Sequence, residues 1–194
     1  MLITSCGELK TQNSSDYSKE FKKICIEGNG KGRIELMTTK QTFSYESQVD
    51  RKNNRFDLVL DFAVIGERQI QFSLNPEIAN REIKNSEISQ LLNEQLGDRP
   101  NKKRIAKAVE EFFVFASDFM RFKVANVFPK HYSAAFKSDH FILERSTPSY
   151  RFEVDNFVPN EKYYERLVFK LFAKDLSNDA ILTLYLVPDA CDNQ

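Results

Sequence analysis

The chain lacks tryptophan and has few residues that break regular structure, with 6 Gly and 6 Pro among 194 residues. A chain with so few breakers is expected to form long helices and strands. It also lacks any excess of charge, because Lys plus Arg and Asp plus Glu both number 28. Without a net positive field, general binding to nucleic acid is not expected.

Catalytic and cofactor motifs are missing as well. The chain has no Gly-x-Ser-x-Gly elbow, and residues 28–32 have neither the spacing nor the following helix of a phosphate-binding loop. The two histidines, His131 and His140, lack the spacing of zinc ligands. We therefore predict no cofactor site, no metal site and no catalytic residue from motifs. One alternative stays open, a hydrolase-type site formed by His131, Asp139 and His140.

The composition otherwise fits a folded domain. Hydrophobic residues make up 41% of the chain and charged residues 29%, which is too apolar for an intrinsically disordered protein. Phenylalanine is abundant, with 17 residues. Its rings are expected either to pack with one another in the core or to line a cavity for an apolar ligand.

Hydrophobic periodicity predicts strands on both sides of a helical centre. The alternation is clearest at residues 56–62, whose hairpin continues at residues 69–74. The glycine-rich residues 28–32 predict a turn between strands at 21–27 and 33–40. After the centre, strands are predicted at residues 141–145, 150–157 and 181–187.

Two helices are predicted in the centre. Residues 88–96 show helical spacing after Ser86 as an N-cap, and a longer helix spans about 101–128 with apolar residues along one stripe. Residues 166–174 fit either a strand or a helix, and their place between two strands favours the strand. The predicted fold is α+β, a single domain over residues 21–194 in which an antiparallel sheet packs against a helix pair.

The N-terminus carries a short motif. Ile3-Thr4-Ser5-Cys6 resembles the lipobox of bacterial lipoproteins, in which the cysteine is acylated and becomes the first residue of the mature protein. Only five residues precede Cys6, so the charged and apolar regions of a signal peptide are lacking here. The polar stretch up to residue 20 has the composition of a flexible tether. The resemblance implies a lipid anchor on Cys6 and residues 1–20 as signal remnant and tether; the alternative is a fortuitous cysteine.

The other two cysteines are predicted to pair. Three cysteines leave one unpaired in an exported protein, and acylation of Cys6 would account for it. Cys25 and Cys191 lie near the two ends of the folded region, and chain termini are often close in space. We therefore predict a Cys25–Cys191 disulfide; the alternative is two reduced, buried thiols in a cytoplasmic protein.

These features together predict a tethered binding or structural module of the bacterial cell envelope. Its membrane contact would be the lipid on Cys6, and its domain would hold a protein partner or an apolar ligand. The hydrolase-type enzyme is the alternative function, and the cytoplasm the alternative location.

Overall fold

A computed structural model describes residues 19–63, 66–75, 78, 101–125, 131–137, 140–157, 163–174, 176 and 178–191. These ranges contain one long helix, α1 (Lys102–Ala125), and nine strands. The strands are β1 (Gly28–Leu36), β2 (Thr39–Asp50), β3 (Arg55–Phe62), β4 (Gly66–Ser73), β5 (Ser133–Lys137), β6 (His140–Ser146), β7 (Tyr150–Phe157), β8 (Arg166–Ala173) and β9 (Leu182–Cys191).

All nine strands belong to one sheet, in the order β4-β3-β2-β1-β9-β8-β7-β6-β5. Strands β1 to β4 form one antiparallel meander, and β5 to β9 form another. The two meanders join where β1 pairs with β9, also antiparallel. The first and last strands of the described residues therefore meet in the middle of the sheet.

The predicted α+β fold with an antiparallel sheet packed against a helix pair is wrong. Across the described residues the structure is mostly one large antiparallel sheet, with strand accounting for 55% and a single helix of seven residues or longer. The helix predicted at 88–96 lies outside the described residues. The sequence did not indicate the full length of β2, because its exposed side chains Thr42, Ser44, Glu46 and Gln48 are polar.

The prediction of a turn at residues 28–32, between strands at 21–27 and 33–40, is also wrong. Residues 19–22 form a short helical turn, residues 24–26 are irregular, and the predicted turn at 28–32 belongs to β1. A Cβ atom at Gly32 would overlap the Phe43 ring, and one at Gly30 would overlap the Val187 carbonyl oxygen. Glycine is used here because the neighbouring strands approach the β1 backbone too closely for a side chain.

The long helix and the strand at residues 166–174 are among the predicted elements that the structure confirms. The long helix spans Lys102–Ala125, within the predicted 101–128. Residues 166–174 adopt the strand form, because β8 covers Arg166–Ala173 and pairs with β7 on one side and β9 on the other.

Helix α1 lies on the core side of β7 and β8 through its phenylalanines. The Phe115 ring stacks on Phe152 with centroids 4.9 Å apart, and the Phe119 ring meets Phe169 edge to face at 5.3 Å. The Ser117 hydroxyl donates to the Ser73 carbonyl oxygen, which ties the helix to β4. In the described part of the chain the aromatic rings thus fill the interior against one another.

Candidate functional site

The candidate site is the face of the sheet opposite α1, which we call the outer face. Side chains alternate along a strand, so residues between the core positions of β6 to β9 and β1 point away from the helix. The outer face is formed by His140, Ile142, Glu144, Arg151, Glu153, Asp155, Phe157, Arg166, Val168, Lys170, Phe172, Thr183, Tyr185, Val187, Lys31, Arg33 and Glu35. It combines charged and aromatic groups rather than presenting a continuous apolar surface.

Asp155 lies at the centre of a polar cluster on this face. Its residue is only 8% exposed, and its two carboxylate oxygens have different partners. Nδ1 of His140 donates to Oδ1 at 3.0 Å, and Nζ of Lys170 lies 3.5 Å from Oδ2. The His140 ring also contacts Phe157, with centroids 3.7 Å apart. A carboxylate that is almost fully buried needs cationic or proton-donating partners, and Asp155 has two.

Three arginines of the outer face lie over aromatic rings. Each pair joins residues directly opposite on neighbouring strands: Arg33 with Tyr185, Arg151 with Phe172, and Arg166 with Phe157. The guanidinium carbons lie 4.4, 3.8 and 5.1 Å from the ring centroids, respectively. Such stacking holds a guanidinium in a defined position while its edge still faces outward.

Three carboxylates of the outer face, Glu35, Glu153 and Asp155, already contact cations. Glu35 pairs with Arg33 at 2.9 Å and with Lys40 at 3.3 Å, and Glu153 lies 3.8 Å from Arg151. In the described ranges, Arg166 and Lys31 form no ion pair. The surface between β8 and β1 therefore carries cations whose charge the sheet itself does not neutralise.

The residues predicted for a hydrolase-type site are only partly assembled. His140 contacts Asp155, a carboxylate that was not predicted, while His131 is an exposed turn residue and Asp139 lies outside the described residues. No serine or cysteine hydroxyl or thiol contacts His140 in the described part of the chain. The His140–Asp155 pair thus lacks a nucleophile there, and nucleophilic catalysis requires one beside the base.

Asp155 and Lys170 were missed because their pairing depends on strand register. Alternation within residues 150–157 places Asp155 on the polar side of its strand, which the sequence does indicate. That His140 would meet it from the neighbouring strand follows only from the β6–β7 pairing, in which Ile142 is opposite Asp155. The contact of Lys170 with Asp155 also depends on residues 166–174 forming a strand beside β7.

Replacing Asp155 with asparagine is expected to lower the free energy of unfolding by about 1–2 kcal/mol, because the ion pair with Lys170 is lost and the hydrogen bond with His140 is weakened at a nearly buried position. Urea denaturation would measure the change. The matched control is Glu153→Gln, which removes a longer and more exposed pair and should cost less than about 0.5 kcal/mol. Equal losses in the two variants would mean that the Asp155 cluster has no special role in stability.

The N-terminal segment, residues 20–27, closes one end of the domain. Its side chains Phe21 and Ile24 are buried, with exposures of 1% and 0%, and Phe21 meets Phe119 at 5.7 Å. The Tyr164 hydroxyl donates to Glu20 at 2.8 Å. This segment is therefore part of the core, although the polar chain before it has the composition of a tether.

Cys25 and Cys191 join this segment to the end of β9. Their sulfur atoms lie at disulfide distance, 2.20 Å, and their Cα atoms are 5.8 Å apart, within the usual range for a disulfide. The pairing is the one that the cysteine count predicts. It connects the start of the folded region to a central strand of the sheet.

Lys123 lies beside the same segment at the end of α1. Its Nζ donates to the Lys22 carbonyl oxygen, and burial lowers the pKa of this amine to about 8. The unfolded chain therefore binds more protons than the folded one between pH 8 and the ordinary lysine pKa, so this group makes stability rise with pH across that window.

The described residues contain no group of three or more His, Cys, Asp or Glu side chains placed to hold a metal ion. Within the same ranges no helix has both the length and the hydropathy that crossing a bilayer requires. Comparison with protein-family models, curated proteins and solved structures found no match.

Proposed function

We propose that this protein is a membrane-tethered lipoprotein of the bacterial cell envelope whose domain binds a protein partner through the outer face. The observation that carries the proposal is the Cys25–Cys191 pair. Disulfides persist in oxidising compartments such as the bacterial periplasm. This pairing accounts for two of the three cysteines, and the third, Cys6, stands at the lipobox-like position where acylation would use it.

The interior supports a protein partner over an apolar ligand. Phe112, Phe115, Phe119 and Phe169 are each at most 1% exposed and contact one another in pairs 5.3 to 6.4 Å apart. Because these rings pack closely against one another, an apolar molecule bound among them is not favoured. The outer face offers instead the arginine and aromatic side chains that protein interfaces favour.

The tether is tested by metabolic labelling with an alkyne fatty acid in bacteria that express the gene with its native upstream DNA. The wild-type chain is expected to incorporate the label, and Cys6→Ser to abolish it, because acylation requires the thiol. The control is the Cys25→Ser/Cys191→Ser pair, which should keep the label. Unlabelled wild-type protein, or label retained in Cys6→Ser, would contradict the lipid anchor.

Binding by the outer face is tested in the same cells with a photo-crosslinking amino acid at Val187, which is 41% exposed. A discrete protein adduct is expected at this position. The matched position is Asn53, exposed in the turn between β2 and β3, where no such adduct should form. Adducts of the same size at both positions would argue against a specific outer-face interface.

A further inference from the structure

We propose that the partner segment recognised by the outer face is an acidic amphipathic helix that lies across β8, β9 and β1. This inference rests on the proposed function of the outer face and names the chemistry of its partner. It is carried by three exposed side chains in one row across the strands: Arg166 of β8, Val187 of β9 and Lys31 of β1. We call this set the Arg166–Lys31 row.

The register of the sheet puts the three side chains next to one another. Lys31 is directly opposite Val187 in the β1–β9 pairing. Leu167 is opposite Leu186 in the β8–β9 pairing, so Arg166 and Val187 are the next neighbours along it. An exposed apolar side chain thus lies between two cations, on strands at the centre of the sheet.

The charges of the row are available to a partner. The outer-face carboxylates Glu35, Glu153 and Asp155 already contact other cations, and no ion pair joins a carboxylate to Arg166 or Lys31 in the described residues. Glu46, the closest acid on β2, lies beside Asn29 rather than Lys31 and accepts a hydrogen bond from Gln48. A ligand that supplies two carboxylates would therefore complete the charge pattern of this face.

The arginine of the row is also held in place. Its guanidinium lies 5.1 Å from the centroid of Phe157, its direct cross-strand neighbour. A stacked guanidinium loses less conformational freedom on binding than a free one, and it can bind a carboxylate through two parallel hydrogen bonds. Arg166 is thus expected to contribute more than Lys31 to recognition.

The spacing of the row selects a helix as the partner segment. Neighbouring strands are about 4.8 Å apart, so Arg166 and Lys31 are separated by about 10 Å across two strand intervals. In a helix, residues i and i+7 are about 10.5 Å apart on one face, with i+3 and i+4 between them. In an extended segment, residues about 10 Å apart are three positions apart and point to opposite faces.

The docking arrangement follows directly. A carboxylate at position i of the helix pairs with Arg166, an apolar residue at i+4 covers Val187, and a carboxylate at i+7 pairs with Lys31. Burial of Val187 adds an apolar contact to the two charge pairs, as interfaces with a desolvated centre and a polar rim do.

The test measures binding of fluorescent helical peptides to the full chain by anisotropy. One peptide carries Glu at i and i+7 with Leu at i+4, and its partner has the same composition with the second Glu moved to i+5, off the binding face. The first should bind about tenfold more tightly, and its affinity should fall as salt is raised. Equal affinities for the two peptides, or binding of neither, would overturn the inference.

Variants of the chain provide a second, independent test of the Arg166–Lys31 row. Arg166→Glu should weaken the i, i+7 peptide by about tenfold or more, whereas Lys103→Glu, an exposed change on α1, should leave it within about twofold. In Arg166→Glu/Lys31→Glu, the acidic peptide should lose binding and a Lys-for-Glu version should gain it. Urea midpoints equal to wild type would show that the variants are folded, and failure of the charge swap in folded protein would contradict the proposed row.

Binding to anionic vesicles distinguishes a lipid surface from a helical peptide as the ligand of the row. Binding to phosphatidylglycerol vesicles but not to the peptides, with the same loss in Arg166→Glu, would overturn the helix as ligand. The outcomes are also distinct from those of the proposed function. A Val187 adduct in cells without peptide binding refutes only the acidic helix, while peptide binding without Cys6 acylation refutes only the tether.

Discussion

Replacing Cys25 and Cys191 together with serine is expected to lower the free energy of unfolding by about 5 kcal/mol. The bond joins residues separated by 166 positions, and in the chain-entropy model the stabilisation grows with the length of the closed loop. A loss of this size is a large part of the total stability of an ordinary domain. Urea denaturation of the oxidised wild type and the double variant would measure it.

The control for this experiment is Cys6→Ser, which removes the third thiol and should leave the urea midpoint unchanged. Adding a reductant to the wild type should shift its midpoint toward that of the double variant, since both changes open the same loop. Identical midpoints for wild type and double variant would mean that the two cysteines are not paired in the folded protein, and the compartment argument would fail with them.

Replacing Phe119 with alanine is expected to cost about 4 kcal/mol. The ring is 0% exposed and lies between Phe21 of the N-terminal segment and Phe169 of β8, at 5.7 and 5.3 Å. Its removal leaves a cavity at the point where three parts of the chain meet, and cavities at fully buried aromatic positions cost in this range. The free energy of unfolding, measured by urea denaturation, checks the value.

Phe119→Leu provides a graded version, because it keeps an apolar side chain of intermediate volume and should cost roughly 1–2 kcal/mol. Phe136→Ala, at a ring that is 37% exposed, is the surface control and should cost about 1 kcal/mol or less. A Phe119→Ala loss no larger than that of Phe136→Ala would show that the interior rearranges around the missing ring, contrary to the close packing described above.

Local sequence patterns predicted the helix and the strands that bury only one of their sides. Helix α1 has an apolar stripe that includes Phe112 and Phe119, so its existence and approximate bounds could be read from spacing alone. Strands β3 and β7 alternate between core and polar side chains, and the structure has them where predicted. The Cys25–Cys191 pair was likewise accessible from the number and placement of the cysteines.

Segments whose secondary structure depends on contacts with distant parts of the chain were not predictable from local patterns. The glycines of β1 have the composition of a turn, and only the approach of Phe43 and of the β9 backbone explains why they form a strand. Residues 21–27 have the alternation of a strand, yet Phe21 and Ile24 are buried without one, because they belong to the hydrophobic core, where Phe21 contacts Phe119 of α1.

The candidate site depends on register even more strongly. Of the described residues of the predicted hydrolase-type site, His140 has a carboxylate partner, and that partner is Asp155 from β7. Lys31 and Arg166 are 135 positions apart in the chain, a separation given by their numbers, and their shared row exists only because β1 and β8 both pair with β9.

The sequence by itself determined that the chain folds and that it contains a long core helix and several alternating strands, and it predicted the pairing of Cys25 with Cys191. These properties depend on composition and on periods of two or 3.6 residues, which are local. The tertiary structure alone decided that nine strands join in one sheet, that β1 meets β9, and that the outer face carries the Arg166–Lys31 row. Pairing between distant strands is decided by packing and backbone hydrogen bonds across the sheet, and no local period encodes which strand will be the neighbour.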